Sequence, residues 1–143
     1  MATVYLDHNA TTPVRPEAME AVLDAMREGG NPSSVHAAGR AARKRLEQAR
    51  RDVAALIGAD AARLIFTSGG TEANALALLG SGRPRILYSA IEHDSVRAVH
   101  PQAEAVPVTP AGIIDLDALD SMLAADSRPA ILSLMLANNE TGI

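Results

Sequence analysis

Three short stretches of this chain carry residue types suited to small-molecule chemistry. The first, Leu64-Ile65-Phe66-Thr67-Ser68-Gly69-Gly70-Thr71-Glu72-Ala73-Asn74, is an apolar run closing in a glycine turn and a helix start. The first N–H groups of a helix have no intrahelical acceptor, and with the positive end of the helix dipole they form an anion site. Ser68 and Thr71 add hydroxyl donors, while Gly69 and Gly70 permit φ > 0 and a close approach of ligand to backbone. The expected tenant is a phosphate, against the plainer alternative of an ordinary helix cap. A Walker A loop needs Gly-Lys-Ser/Thr, and neither that nor Gly-x-Gly-x-x-Gly is present here. The second stretch, Glu92-His93-Asp94-Ser95-Val96, offers an imidazole that can stack on a flat ring, move a proton or cap a helix. The third, Ala137-Asn138-Asn139-Glu140-Thr141-Gly142, offers two amides that either shape a turn or bind a ring substituent or carboxylate. No two histidines have metal-ligand spacing with an acidic partner, so no metal site is expected.

The elements that must hold these stretches are readable in outline. Pro16 and Glu17 open a helix that Gly29-Gly30 stops, and a long helix is expected from about His36 to Ile57. That second helix pairs an apolar stripe (Leu46, Ala49, Val53, Leu56, Ile57) with a basic face including Arg43, Lys44, Arg45, Arg50 and Arg51. Strands are expected over 64–67, 85–89, 105–108 and 130–136. Helices are expected over 71–80, from Glu92 to near Pro101, and after an Asp115 cap. Pro107 suggests an edge strand. Strands alternating with helices, the strongest apolar on both faces, imply a mainly parallel sheet covered on each side, a three-layer α/β/α architecture. In such sheets ligands bind beyond the carboxyl ends of the strands, where the three stretches would meet.

Composition narrows the classes of partner. The chain has 143 residues, 48% hydrophobic, with a formal charge of −4. The aromatic residues are Tyr5, Phe66 and Tyr88, so the core rests on aliphatic side chains, and the basic helix face lacks the aromatic interleaving of a nucleic-acid surface. No apolar run approaches a membrane span, and the N-terminus lacks the pattern of a signal peptide. The expectation is a cytoplasmic protein binding neither nucleic acid nor membrane.

A phosphate cradle, a stacking imidazole and an amide on one sheet edge suit pyridoxal 5'-phosphate. The order of motifs makes this specific. Tyr5-Leu6-Asp7-His8-Asn9-Ala10-Thr11-Thr12-Pro13 resembles the opening of the cysteine desulfurases, a branch of the fold-type-I pyridoxal-phosphate enzymes. Asn31-Pro32-Ser33-Ser34-Val35-His36-Ala37-Ala38-Gly39-Arg40 resembles their next block, followed by Phe66–Asn74, Glu92–Val96 and Ala137–Gly142. Five blocks in the family's order span the chain, and the Asn-Pro-Ser-Ser form resembles the branch serving nitrogenase and iron–sulfur assembly more than the selenocysteine lyase branch.

The resemblance implies that Gly70 and Thr71 hold the cofactor phosphate, that His93 stacks on the pyridine ring and assists proton transfer, and that Asn139 reaches the ring oxygen or the substrate carboxylate. It places Asn9, Ala10 and His36 near the substrate entrance. It implies removal of sulfur from L-cysteine, leaving L-alanine and an enzyme persulfide for a sulfur-acceptor protein, and a homodimer. Residues 1–14 would pack near a small domain and the active site, and 15–143 would begin the large cofactor-binding domain. The family also needs a cofactor-anchoring lysine and a nucleophilic cysteine. The chain has no cysteine, and its single lysine, Lys44, lies in the basic helix face. The expectation is therefore the N-terminal portion of a larger enzyme, inactive without its C-terminal portion. The alternatives are another fold-type-I enzyme, such as an aminotransferase, and a non-catalytic phosphate-binding module.

Overall fold

A computed structural model describes residues 4–143. Contacts divide the chain after Phe66 into two compact units; of the 1–14 segment, residues 1–3 lie outside the described residues. Among the described residues no helix is long and apolar enough to cross a membrane.

The first unit contains α1 (Pro16–Glu28) and α2 (Ala37–Leu56), then a single 3₁₀ turn, Ala61–Arg63. Pro16 starts α1 as expected, and Gly29, at φ 59°, closes it by donating its N–H to Ala25 O. His36 caps α2, its Nδ1 accepting from Gly39 N at 3.3 Å. Gly39 is required by a close approach: a Cβ there would lie 2.2 Å from Ser34 O and 2.8 Å from Asn31 O. Arg45 joins α2 to the end of α1 through Glu28 at 2.6 Å. Arg50 donates to Leu64 O, and its guanidinium lies 5.2 Å from the centre of the Phe66 ring. The 64–67 strand expected from sequence does not form: Leu64 is extended, but this stretch joins no ladder among the described residues. An extended apolar segment becomes a strand only when a neighbour takes its N–H and C=O groups, and Arg50 takes the Leu64 carbonyl instead.

The second unit contains α3 (Gly70–Leu79), β1 (Arg85–Ser89), α4 (Asp94–Arg97), β2 (Glu104–Val106), α5 (Leu116–Ala125) and β3 (Ala130–Ser133). The strands form a parallel sheet in the order β2-β1-β3. Each crossover carries a helix, as parallel neighbours require. The central strand β1 is the core: Leu87 is fully buried, and Ile86 packs with Leu78 of α3 and Val96 of α4. β2 lies at the edge as Pro107 suggested, and it ends at Val106 because Pro107 has no N–H for a ladder. Asp115 caps α5, its side chain accepting from Ala118 N.

Two elements are shorter than their apolar patterns suggested. α4 is a single turn, ending where the Ala98 N–H closes on Asp94 O. β3 stops at Ser133, and Leu134 and Leu136 remain outside any ladder, Leu136 at 99% exposure. They border an apolar cavity of about 300 Å³, also lined by Ile91, Ile113 and Ile143, with the buried Ser89 hydroxyl on its wall.

One polar cluster sits within this unit. The Arg85 guanidinium, its side chain 3% exposed, meets Glu104 of β2 at 3.1 Å and Asp126 just beyond α5 at 3.3 Å. It also donates to Asp126 O at 2.7 Å and Met122 O at 3.3 Å. Hydrogen bonds that Arg85 donates to Glu104, reinforced by the Asp126 charge, raise the Arg85 pKa. Hydrogen bonds from Arg128, side chain first and backbone second, hold the Asp126 carboxyl at about 2, below its ordinary 3.8.

Two outcomes follow. Gly39→Ala forces Cβ against backbone oxygens and should destabilise the protein by about 1–3 kcal/mol in urea denaturation. Because the native Asp126 pKa is depressed, its contribution is complete above pH 3.8 and lost as pH falls towards about 2. Asp126→Asn should remove that part of the acid limb when unfolding free energy is followed against pH.

Candidate functional site

The glycine turn and the start of α3 leave an open helix N-terminus. Thr67 Oγ1 donates to Gly69 O at 3.1 Å, tightening the turn. Glu72 folds back so that its Oε2 accepts from both the backbone N and the hydroxyl of Ser68, each at 2.7 Å, and these bonds lower its pKa. The first helical donor is Ala73 N, to Gly69 O. The N–H groups of Gly70, Thr71 and Glu72 thus have no protein acceptor among the described residues.

Thr71 does not cap the helix: Gly69 holds the N-cap position and contributes no side chain. Nor do Gly69 and Gly70 adopt the left-handed backbone expected for them. Gly69 is fully extended and Gly70 is helical, so neither conformation demands glycine. Their value is space. A Cβ at either position would meet nothing within 4 Å, so the ground beside the free N–H groups is open to a ligand. Three backbone donors, the Thr71 hydroxyl and that open approach fit a phosphate group.

The second part of the site is a polar cleft of about 410 Å³ between the loops after β1 and β3. His93, Asp94 and Arg97 line one side, and Asn138, Asn139 and Glu140 the other. His93 is the N-cap of α4, its Nδ1 accepting from Ser95 N at 3.1 Å. Asn138 builds the opposite loop: its Oδ1 accepts from Glu140 N and Thr141 N, both at 2.9 Å, and its Nδ2 donates to Ile91 O at 3.1 Å. Below the cleft Ser133 Oγ donates to the buried Glu92 at 3.0 Å, a second tie between the loops. Asn138 therefore ties the two loops together, and Asn139 lines the cleft beside it.

The structure thus brings His93 and Asn139 to one cleft. It connects His93 to the glycine-turn helix through Ser95, whose hydroxyl accepts from Asn74 Nδ2 at 2.8 Å. Asn9, Ala10 and His36 belong to the first unit. Asn9 and Ala10 lie in an exposed turn closed by Ala10 N donating to Asp7 O at 3.2 Å, and His36 caps α2. Ser133 was not singled out in the sequence, Glu92 and Ser95 stood out only as neighbours of His93, and Asn74 only as part of a helix start. A polar residue such as Ser133, closing an otherwise apolar strand, was the available signal. The bond between Asn74 and Ser95, 21 residues apart, left no local trace.

The chain matches the family described as aminotransferase class V over residues 4–143. It is 43% identical to a cysteine desulfurase of Cereibacter sphaeroides, an alignment covering 99% of this chain and 40% of the relative. It is 38% identical to the human selenocysteine lyase, over 98% of this chain and 38% of that protein. Its structure resembles a NifS-like protein from Rickettsia africae with a TM-score of 0.83 and 35% identity, covering 99% of this chain and 42% of that one. DndA from Streptomyces lividans gives a TM-score of 0.70 at 37% identity, over 98% and 43% of the two chains. The chain spans about two-fifths of the length of the curated relatives it matches. With the parallel sheet, the glycine-turn helix and the His–Asn cleft, these matches establish that the chain belongs to the class V aminotransferase family.

Proposed function

We propose that this chain is the phosphate-holding portion of a cysteine desulfurase, an enzyme that takes sulfur from L-cysteine, leaves L-alanine, and passes the sulfur as a persulfide to an acceptor protein. The single observation that carries this reading is the connection from the open N-terminus of α3 to the His93–Asn139 cleft through Asn74 and Ser95. An anion site and a polar cleft joined by one hydrogen-bond chain suit a ligand with a phosphate at one end and a flat polar ring at the other.

That ligand is pyridoxal 5'-phosphate, which when bound supplies an electron sink for bond cleavage next to the substrate nitrogen. The N–H groups of Gly70 and Thr71 and the Thr71 hydroxyl take the phosphate. His93 lies against the ring and serves proton transfer. Asn139 reaches the ring oxygen or the substrate carboxylate. Asn9, Ala10 and His36 are assigned to substrate binding on their motif positions. With no cysteine in these 143 residues and Lys44 exposed on α2, the persulfide-forming thiolate and the cofactor-anchoring lysine come from the remainder of the enzyme. The same remainder covers Leu134, Leu136 and the apolar cavity beside them. The working enzyme is a cytoplasmic homodimer feeding iron–sulfur assembly or another sulfur-transfer route.

A selenocysteine lyase activity is the second reading, supported by the 38% identity to the human enzyme of that name. The deciding experiment presents the complete enzyme with L-cysteine, L-selenocysteine, and an amino donor with a keto acid. Alanine and sulfide from L-cysteine support the desulfurase. Selenide alone supports the lyase, and amino transfer without sulfide overturns both.

Removing the Thr71 hydroxyl deletes one hydrogen bond to a charged group, worth about 1.5–3 kcal/mol. Thr71→Ala should therefore weaken pyridoxal phosphate binding about ten- to a hundredfold, read by titrating cofactor absorbance. His93→Ala should lower kcat by about a hundredfold or more while leaving phosphate affinity near the native value.

A further inference from the structure

Three side chains in the second unit form a linear hydrogen-bond chain with a direction built into it. Asn74, one turn into α3, donates from Nδ2 to Ser95 Oγ at 2.8 Å. Ser95 Oγ lies 2.9 Å from His93 Nδ1, and the backbone N of Ser95 donates to that same Nδ1 at 3.1 Å. A ring nitrogen that accepts from a backbone N–H carries its lone pair and no proton, so the neutral imidazole holds its proton on Nε2. The Ser95 hydroxyl obeys the same polarity. Its oxygen receives the Asn74 N–H, which leaves its own hydrogen to point at Nδ1. Two donors converge on one side of the ring, and Nε2 is the nitrogen left for a ligand in the cleft.

We propose that Asn74 and Ser95 are positioning residues that hold His93 as its Nε2–H tautomer and tie the ring to α3. His93 then presents a hydrogen-bond donor to the cleft, at a separation from the anion-binding helix end set by two side-chain hydrogen bonds. In this tautomer Nε2 begins the proton transfer assigned to it above as the donor. The group it meets must be an acceptor: a carboxylate, a phenolate oxygen or a lone-pair nitrogen. The part of the inference that concerns ligand chemistry rests on the cofactor reading above, whereas the tautomer rests on the hydrogen bonds alone.

The test is ¹⁵N–¹H long-range correlation spectroscopy of the complete enzyme labelled at histidine, with His93→Gln identifying the resonance. Wild-type His93 should show a protonated Nε2 and an acceptor Nδ1. Asn74→Asp replaces the amide donor with a carboxylate acceptor of the same shape. Ser95 Oγ–H then turns to residue 74 and no longer donates to Nδ1, so the Nδ1 resonance should shift towards that of a nitrogen with one donor, while the backbone N–H of Ser95 keeps the ring proton on Nε2. Ser95→Ala keeps the backbone donor, so the Nε2–H form should persist while the ring loses its tether and its resonances broaden, and Ser95→Thr should restore them. A wild-type ring protonated at Nδ1, or an Asn74→Asp ring unchanged from wild type, would overturn the proposal. If Asn74→Asp fails to fold, the Ser95→Ala and Ser95→Thr pair decides it, since unchanged ring resonances in both remove the tether. Absence of cofactor absorbance in the wild-type enzyme would instead sink the cofactor reading and leave the tautomer result standing.

Discussion

The second unit depends on a buried cation. Arg85 is the first residue of the central strand, and its guanidinium is removed from water almost completely. Burying a charge is costly unless it is paired and its donors are used. Arg85 meets that condition by drawing one group from each direction: Glu104 at the start of β2, the Met122 carbonyl inside α5, and both the carbonyl and carboxylate of Asp126 beyond it. Satisfying one side chain therefore places the beginnings of β1 and β2 and the end of α5 together. Arg128 then anchors Asp126 with bonds of 2.9 and 2.5 Å to one carboxylate oxygen, just before β3 begins.

This cluster lies at the amino ends of the strands, and the polar cleft lies at their carboxyl ends. The division suits a parallel sheet, in which all strand starts share one edge and all exits the other. With the starts held by Arg85, the exits of β1 and β3 are fixed in register, from Arg85 opposite Ala130 to Tyr88 opposite Ser133. The loops that follow must then emerge side by side. The ties between Ser133 and Glu92 and between Asn138 and Ile91 close that pairing just beyond the last ladder positions. The exposed His93 is thereby held within a hydrogen-bonded frame.

How far the sequence announced this depended on the range of the interaction. Pro16, Gly29, Pro107 and Asp115 act within a few residues of themselves, and each delimits an element where its chemistry predicts. Motif order likewise marked His93 and Asn139, which do share a cleft. Arg85, by contrast, reads as the charged start of an apolar run, because its partners Glu104 and Asp126 are 19 and 41 residues away. The extended 64–67 segment has strand composition without a ladder, because pairing is a property of the neighbour and not of the segment. The long apolar pattern of 130–136 was misleading for the same reason: Leu134 and Leu136 are built for burial, and nothing in the described residues buries them.

The glycine turn shows how a segment can be singled out for a reason its backbone does not share. Gly69 and Gly70 suggested a left-handed turn, yet neither backbone is left-handed, and an alanine could adopt either conformation. What glycine provides here is the absence of a side chain beside N–H groups that need an acceptor. Glu72 makes the selection sharper. Its carboxylate takes the Ser68 N–H and hydroxyl, so these two donors are removed from the ligand and the turn is braced by the bond that removes them. The N–H groups of Gly70, Thr71 and Glu72 are the donors left open at this helix end, beside glycines where a Cβ would meet nothing within 4 Å. A carboxylate fixed at the same helix end also opposes a second negative charge by Coulomb repulsion, so the phosphate proposed for this end would have to be held by its hydrogen bonds and not by charge alone.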